Sequence, residues 1–517
     1  MVKQSTGVPI AALRTDADAD ERVGNRVLVY RSVLDAIRRG VLAPGARLPS
    51  ARAFAADWGV ARGAVDDAFE QLQIEGLVER RVGDGTYVRA DLPMVAAAPV
   101  VPLVRPPSAQ ARRVLERFAV FMGKPRRLEL PHKVLAPQAL FPRAPMTAGF
   151  PLEVWRRLVH RAHSEAYRHL LTYGPAAGLP QTREAIARHL SLARGTECQP
   201  SQVLILNSPM QAVELIARVL LEPGDKVWVE DPGHPSLPPL FQALHAEVVP
   251  VPFDAQGLDV RAGRAAAPTA AAVYLHPLTQ FPLGIRTSSA RRAELLQWAD
   301  ESGAWIVEGN MNDEIAHDAR APRSFQRLDR AERVLLMGTL EGIMYPSLRL
   351  AYLVVPPRLV EVFVAMRGLM GDHSSNAMQL ALAWFIDEGH MSTHLRSLRR
   401  LSRRRRDTLL AAVQRELPRW ARLGPTDSGT HACLHLPAAV PDVEVVERIR
   451  AQGVLSFALS SVSATAKGLN GLVLGYSSFD EASIDAAIAI IGEVLKAMAA
   501  GTKEAAAGPQ RASRTGA

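Results

Sequence analysis

The chain has 517 residues, of which 48% are hydrophobic and 22% are charged. That length exceeds what one hydrophobic core supports, so at least two domains are expected, and the composition excludes a disordered or fibrous protein. Two cysteines, Cys198 and Cys433, are too few for a disulfide framework or a four-cysteine zinc site. No apolar run approaches the roughly 18 residues of a membrane span, and the N-terminal sequence does not resemble a secretion signal. We therefore expect a cytoplasmic protein that does not associate with membranes.

The chain carries 61 basic and 52 acidic residues, which gives a formal net charge of +9. This balance is typical of nucleic-acid-binding proteins, but arginine-rich usage also follows from genome composition, so charge alone does not decide the function. Changes in composition along the chain predict four segments. They are a helical domain over 22–90, a proline- and alanine-rich linker over 91–134, a large domain over 135–498 and a disordered tail over 499–517.

Two stripes of apolar residues with helical spacing lie in the segment 22–90. The first stripe consists of Tyr30, Val33, Leu34 and Ile37, and the second of Val65, Ala68, Phe69 and Leu72. A short helix between them reaches Trp58, and the glycine-rich residues 83–88 predict a tight turn between two short strands. Three helices followed by a β-hairpin are typical of the winged helix-turn-helix, which places the second helix of its pair in the major groove of DNA.

The motifs of this segment match one family of DNA-binding domains. They are Y-x6-I-x2-G-x-L-x-P-G-x-R-L-P-S from Tyr30, R-x2-A-x3-G-V-x-R from Arg52, L-x2-E-G-L from Leu72 and G-x-G-T-Y-V from Gly83. The segment 25–90 therefore resembles the winged helix of GntR-type bacterial regulators, which implies double-stranded DNA as a partner. The residues that this resemblance places at the duplex are Arg47, Arg52, Arg62, Gly63, Gly83 and Gly85. Guanidinium groups bind phosphate oxygens or guanine edges, and glycines let the wing backbone approach the minor groove, whereas Arg47 is expected to support the turn or to bind a phosphate.

The start of the recognition helix departs from the family. Hydroxyl side chains usually flank its arginine, whereas this chain has Ala61 before Arg62 and Ala64 after it. Asp66 and Asp67 add negative charge to the outward face of the helix. Because hydroxyl contacts to phosphate position a protein on the duplex, a winged helix that has lost DNA binding remains an alternative.

Apolar strand-like runs alternate with helical patterns over 135–498, which predicts an α/β fold with a mostly parallel sheet. The predicted strands are Val203–Leu206, 226–229, 271–275 and 305–307. The stretches L-T-Y-G-P-A-A-G-L-P, E-D-P-G-H-P, H-P-L-T-Q-F-P-L-G and G-T-L-E-G-I-M-Y-P-S-L-R are together similar to the fold-type I aminotransferase-like domain of the MocR/GabR branch of GntR regulators. The resemblance implies the order winged helix, linker and aminotransferase-like domain, with a smaller α+β subdomain at the C-terminal end.

In this family a lysine of the motif G-T-F-S-K binds pyridoxal 5′-phosphate as a Schiff base. The matching position here is Gly342, and the chain has no lysine between Lys226 and Lys467. The acidic residue that pairs with the pyridine nitrogen corresponds to Gly309, and the neighbouring tyrosine corresponds to Met311. A glycine cannot stabilise a protonated pyridine ring, so the resemblance implies a degenerate cofactor site.

The residues that hold the phosphate and the substrate in the family are replaced as well. Pro209 removes one backbone donor from the phosphate turn, and His234 replaces an aromatic residue. Val473 stands where aminotransferases bind a substrate carboxylate with arginine, whereas Arg349 is retained. We therefore expect no pyridoxal 5′-phosphate, no enzymatic activity and no metal site. Arg349 is a candidate either for binding an acidic effector or for bracing the fold.

Three functions stay open on the sequence alone. The first is a DNA-binding transcriptional regulator whose aminotransferase-like domain dimerises, senses a small-molecule effector, or both. The second is a regulator or aminotransferase that depends on pyridoxal 5′-phosphate, which rests on the fold alone. The third is a pseudo-enzyme that binds a protein partner and no DNA. We expect the first, as a homodimer, because the aminotransferase-like fold normally places its site at a subunit interface.

Overall fold

The structure is a computed structural model of the chain with side chains. It describes residues 13, 24–92, 108, 139–142, 144–310, 313–315, 324–427, 429–465 and 468–507. The chain forms two compact units, Met1–Pro106 and Pro107–Ala517. The boundary between the units falls in the predicted linker 91–134, of which only residues 91, 92 and 108 are described.

The first unit is a three-helix domain with a two-stranded wing. Its elements are α1 (Asn25–Arg38), α2 (Ala51–Trp58), α3 (Arg62–Ile74), β1 (Val78–Arg81) and β2 (Gly85–Val88). The two strands are antiparallel, with Val78 opposite Val88 and Arg81 opposite Gly85. This arrangement is the winged helix-turn-helix that the sequence predicts.

Local sequence sets the bounds of the two paired helices. The Ser50 hydroxyl accepts a hydrogen bond from the Ala53 amide at 3.2 Å and caps α2. Gly59 ends α2 in the left-handed conformation, with φ 66°, and turns the chain toward α3. The apolar core between the helices includes Val29, Val33, Phe54, Trp58, Val65, Phe69 and Leu72. Burial of these side chains supplies the main free energy of folding of this small unit.

The second unit alternates helices with strands. Its helices are α4 (Leu152–Ala162), α5 (Pro180–Arg194), α6 (Pro209–Leu220), α7 (Leu237–Ala243), α8 (Val260–Ala266), α9 (Ser289–Ser302), α10 (Phe325–Leu328), α11 (Val360–Met370), α12 (Asn376–Asp387), α13 (His390–Glu416), α14 (Asp442–Arg450) and α15 (Glu481–Ala507). Its strands are β3 (Val203–Leu206), β4 (Lys226–Asp231), β5 (Glu247–Asp254), β6 (Gly257–Leu258), β7 (Ala272–Leu275), β8 (Trp305–Asn310), β9 (Val334–Thr339), β10 (Ala351–Val354), β11 (Arg422–Leu423), β12 (His431–His435), β13 (Phe457–Ala458) and β14 (Gly471–Gly475). The helix α15 continues to Ala507, whereas the sequence predicted disorder from 499 onward, and residues 508–517 lie outside the described residues.

Eight strands form the central sheet in the order β3-β10-β9-β8-β7-β4-β5-β6. The strands β9, β8, β7, β4 and β5 are parallel to one another, β10 is antiparallel to both β3 and β9, and β6 closes an antiparallel hairpin with β5. The strands β3, β7 and β9 are buried along their whole length, as expected of strands covered on both faces. The sheet therefore agrees with the mostly parallel α/β fold that the sequence predicts.

A smaller subdomain contains the second sheet, whose antiparallel strands have the order β11-β12-β14-β13. Apolar side chains from α13, α14 and α15 share one core with this sheet, for example Leu409, Val445 and Ile488 against Leu434. Of the candidate site residues of the second unit, His234 and Gly342 follow the carboxyl ends of the parallel strands β4 and β9, and Gly309 lies at the carboxyl end of β8. In open parallel sheets this edge is where ligands bind.

Candidate functional site

The recognition helix α3 begins with an exposed arginine. Arg62 occupies its first position with 69% of its side chain exposed, and its Nε lies 3.3 Å from Asp66 Oδ2. The other oxygen of the same carboxylate lies 3.3 Å from Arg80 Nη2 on β1. Asp66 therefore joins the recognition helix to the wing and orients both guanidinium groups. From the sequence, Asp66 is only a negative charge on the helix, and Arg80 is not among the predicted site residues.

The wing is held by the second predicted arginine. Arg47 donates a hydrogen bond to the Asp84 carbonyl, and its Nε lies 3.0 Å from where a Cβ would stand at Gly85. Gly85 has a φ of 134°, which strains any other residue, and a Cβ there would also displace the Arg47 guanidinium. The Tyr87 hydroxyl donates to Asp84 Oδ2 at 2.8 Å and closes the same turn. Of the two roles expected for Arg47, this geometry supports the bracing of the turn.

The remaining residues predicted at the duplex lie on open surface of the first unit. Arg52 on α2 and Gly63 on α3 are exposed, and open space surrounds the position of a Cβ at Gly63 and at Gly83. Ala61, which precedes α3, makes no capping hydrogen bond. The first turn of α3 therefore presents backbone N–H groups and the Arg62 side chain on an unobstructed surface, which suits a phosphate backbone.

The second unit contains a cavity of about 260 Å³ beside Gly342. Its wall includes His234, His276, Phe281 and His431. Gly342 follows the carboxyl end of β9 and brings no amine to this wall.

A histidine fills the space beside Gly309, which lies on β8. A Cβ at that position would stand 2.7 Å from His276 Cδ2 and 3.0 Å from the Tyr274 hydroxyl oxygen. His276 is buried, its backbone N–H donates to Glu230 Oε1 at 2.9 Å, and its Nδ1 lies 3.2 Å from Glu230 Oε2. His276 and the Tyr274 hydroxyl therefore occupy the place that a side chain at 309 would take. Met311 lies outside the described residues.

Sequence reasoning missed His276, although one signal was available. The histidine follows the predicted strand 271–275 directly, and polar residues at the carboxyl ends of parallel strands commonly line ligand sites.

A buried ionic cluster behind Gly309 was not predicted from the sequence either. In it, Arg194 Nη1 lies 2.9 Å from Asp313 Oδ2, and Arg194 Nη2 lies 3.7 Å from Glu308 Oε1. Burial raises the pKa of the Glu308 and Asp313 carboxyls, and the charge of Arg194 opposes that rise.

In the turn before α6, the hydrogen-bonding groups bind other groups of the chain. Pro209 has no N–H, the Gln211 amide donates to the Ser208 hydroxyl at 3.1 Å, and the Asn207 amide donates to Gln211 Oε1 at 2.6 Å. Asp372 accepts a hydrogen bond from Asn207 Nδ2 at 2.6 Å and another from the Gln211 side-chain amide. A carboxylate of the chain itself therefore faces this helix N-terminus.

Arg349 is also engaged within the chain. It adopts a positive φ of 53° and its Nη1 lies 3.3 Å from Glu341 Oε1, beside the cavity. Its side chain is 59% exposed, so solvent screens this pair.

The other predicted residues of the second unit lie in different places. His234 accepts a hydrogen bond at Nδ1 from the Ser236 amide, and Val473 is buried in β14. The structure thus places Gly342 and His234 among the residues that line the cavity, whereas Pro209 and Arg349 are not among its described lining residues.

Two families match the chain. Residues 26–88 match the bacterial regulatory proteins of the gntR family, and residues 146–491 match aminotransferase class I and II. Over 467 residues the chain is 32% identical to the probable rhizopine catabolism regulatory protein MocR of Rhizobium meliloti, covering 90% of this chain and 92% of that protein. The chain belongs to the MocR-type GntR regulators.

Further relatives of this MocR-type regulator agree with that assignment. The HTH-type pyridoxine biosynthesis transcriptional regulator PdxR of Corynebacterium glutamicum is 29% identical over 459 residues, covering 89% of this chain and 93% of that protein. The kynurenine aminotransferase of Pyrococcus horikoshii, solved in complex with PMP, superposes with a TM-score of 0.65 at 23% identity, covering 76% of this chain and 95% of that chain. At that identity the likeness shows the fold alone.

Aminotransferases of this class typically use pyridoxal 5′-phosphate. In this MocR-type regulator Gly342 has no amine for a Schiff base, His276 fills the space beside Gly309, and Glu341 lies against Arg349. Among the described residues, no group of three His, Cys, Asp or Glu side chains is placed to hold a metal ion. No helix in the described part of the chain is long and apolar enough to cross a bilayer.

Proposed function

We propose that this MocR-type regulator binds operator DNA through its winged helix, and that its aminotransferase-like domain dimerises and senses an effector without pyridoxal 5′-phosphate. Such a protein acts in the cytoplasm, where its DNA ligand lies, and is not an enzyme. The observation that carries the proposal is the joint replacement of the cofactor-binding groups at Gly342 and Gly309 within an intact sheet. The exposed arginines Arg52 and Arg62 support the DNA-binding half.

DNA binding is tested by selecting an operator from a random library with the purified protein and then replacing Arg62. If its guanidinium reads a base edge, Arg62→Ala lowers the discrimination between operator and random DNA by about 1–3 kcal/mol. The matched control is Arg39→Ala, because Arg39, the C-cap residue of α1, is 45% exposed and also pairs with an aspartate four residues away. Equal affinity of wild type and Arg62→Ala for every sequence would contradict base reading. Absence of DNA binding by the wild type would favour a scaffold for a protein partner.

Independence from the cofactor is tested by absorption spectroscopy after incubation with pyridoxal 5′-phosphate, followed by borohydride reduction and peptide mass spectrometry. We expect no aldimine band, no pyridoxyl group at position 342 and no transamination, because position 342 offers no amine. Gly342→Lys restores the amine, yet we expect no transamination from this variant, since His276 still occupies the space beside Gly309. Stoichiometric cofactor in the purified wild type would favour the pyridoxal-dependent alternative.

A further inference from the structure

We propose that the cavity beside Gly342 binds a single-ring compound that is uncharged or positively charged and carries no phosphate. This inference rests on the proposed function, because it names the class of effector that the aminotransferase-like domain takes. Three features of the cavity select that class. They are the size and aromatic character of the wall, the charges on and around the wall, and a buried nitrogen without a partner.

The size and the wall of the cavity suit one ring. Its volume of about 260 Å³ lies below the roughly 300–1,000 Å³ of sites for drug-sized ligands. The Phe281 ring lies in the middle of a row of rings, with its centroid 5.8 Å from that of His234 and 5.0 Å from that of His431. Phe457 also lines the cavity. Such faces bind flat rings through stacked or edge-to-face contacts.

The charges of the cavity disfavour an anion. Glu341 is part of the wall, whereas no lysine or arginine is among the described lining residues. The nearby Arg349 guanidinium faces the Glu341 carboxylate at 3.3 Å, and the helix N-terminus at α6 faces Asp372. A phosphate would have to compete with these carboxylates for the groups that could bind it. A cationic amine instead gains from the Glu341 carboxylate, and an uncharged ring loses nothing.

One buried nitrogen of His431, a residue that lines the cavity, lacks a hydrogen-bond partner among the described residues. His431 is 7% exposed, and its Nε2 makes no hydrogen bond with the described residues. Burial lowers the pKa of His431 to about 4, so the imidazole is neutral near pH 7. A neutral imidazole nitrogen either donates or accepts one hydrogen bond, and leaving it unsatisfied in a buried site is unfavourable. A ring hydroxyl of a ligand, which both donates and accepts, matches this nitrogen in either tautomer.

The test compares three probes that share one pyridine ring and differ in charge. Pyridoxamine is cationic, pyridoxine is uncharged and pyridoxal 5′-phosphate is anionic. Each is titrated into the full-length protein by isothermal calorimetry at pH 7.5. We expect pyridoxamine and pyridoxine to bind, and pyridoxal 5′-phosphate to bind at least tenfold more weakly than pyridoxamine.

Two variants assign the binding to this cavity. His431→Phe keeps a ring and removes the unpaired nitrogen, so we expect at least tenfold weaker binding of both vitamers. Glu341→Gln removes the acidic group, so we expect weaker binding of pyridoxamine and unchanged binding of pyridoxine, a selective effect that misfolding would not produce. Glu493→Gln, an exposed change on α15, is the control and leaves all affinities unchanged.

Absence of binding by both pyridoxamine and pyridoxine overturns this inference and leaves the proposed function standing. Equal or tighter binding of pyridoxal 5′-phosphate without an aldimine band overturns the charge preference. An aldimine band on the wild type overturns the proposed function itself. Unchanged affinities in both His431→Phe and Glu341→Gln place the site elsewhere and also overturn the inference.

Discussion

The residues that we propose to replace the aminotransferase groups have neighbours in the chain that supply charge or fill space. Glu341 places a carboxylate 3.3 Å from Arg349, and His276 fills the space beside Gly309. The losses expected at Gly342 and Gly309 were predicted from the sequence alone, because these positions fall within short motifs. The compensating pair of His276 with Glu230 was not, because the two residues lie 46 positions apart and only the parallel pairing of β4 with β7 brings them together.

The buried histidine of the cavity predicts a pH dependence of stability. The pKa of His431 is lowered from its ordinary 6.5 to about 4 by burial, so the unfolded chain binds a proton at a pH where the folded chain does not. The free energy of unfolding therefore falls as the pH drops from 6.5 to 4, by about 3 kcal/mol from this group alone. Urea unfolding of wild type and His431→Gln across this pH range measures the contribution of His431. As the pH drops, the free energy of unfolding should fall more in the wild type than in the variant.

His163→Gln provides the control for that measurement. His163 is exposed on the surface of the second unit, so its replacement leaves the pH profile of the wild type unchanged. Parallel profiles for wild type and His431→Gln between pH 6.5 and 4 would show that the His431 ring is protonated equally in both states of the chain.

At the scale of elements, the sequence located the strands more securely than their ends. The predicted strand 226–229 continues in the structure through Glu230 to Asp231, although both side chains are acidic and buried. Asp231 accepts hydrogen bonds from the Ala464 and Thr465 amides at 2.8 Å, and Glu230 pairs with His276. Because these partners lie far away in the chain, local hydropathy ends the strand too early.

The missing N-cap side chain of the recognition helix α3 leads to a prediction about its stability. Ala61 has the extended backbone of an N-cap residue, with φ −64° and ψ 135°, but no side chain to cap α3. Ala61→Ser supplies a hydroxyl for an orphan N–H and should stabilise the first turn by about 1 kcal/mol. The hydrogen-exchange rates of the first α3 amides in the full chain measure this stabilisation. We expect these amides to exchange more slowly in Ala61→Ser than in the wild type.

The same hydroxyl also lies where a DNA phosphate is expected, so Ala61→Ser should raise affinity for operator and random DNA to a similar extent. Ala56→Ser is the matched control, because Ala56 is exposed within α2 and its hydroxyl would cap nothing. Faster exchange in α3 of Ala61→Ser than in the wild type would contradict the missing cap. A gain for the operator alone would contradict a phosphate contact.

At the scale of the whole molecule, the second unit exposes large apolar side chains on neighbouring segments. Leu171 is 74% exposed, Tyr173 is 96% exposed and Leu369 on α11 is 85% exposed. Arg367 on α11 donates a hydrogen bond to the Ala176 carbonyl, and Asn376 Nδ2 on α12 donates to the Leu170 carbonyl at 3.1 Å and to the Thr172 carbonyl at 3.0 Å. Apolar groups that remain exposed in this way are typical of an interaction surface.

We propose that this surface, defined by Leu171, Tyr173 and Leu369, is part of a homodimer interface, and the last prediction tests it. The wild type should sediment as a dimer at micromolar concentration, and a twofold dimer would contact two DNA half-sites. Leu369→Asp places a charge in the interface and should raise the dissociation constant of the dimer at least tenfold, since a charge buried there lacks a partner. Val443→Asp, an exposed change on α14, should leave it unchanged. A wild type that sediments as a monomer with and without DNA would contradict the homodimer. A Leu369→Asp dimer with an unchanged dissociation constant would show that the interface lies on another face of the second unit.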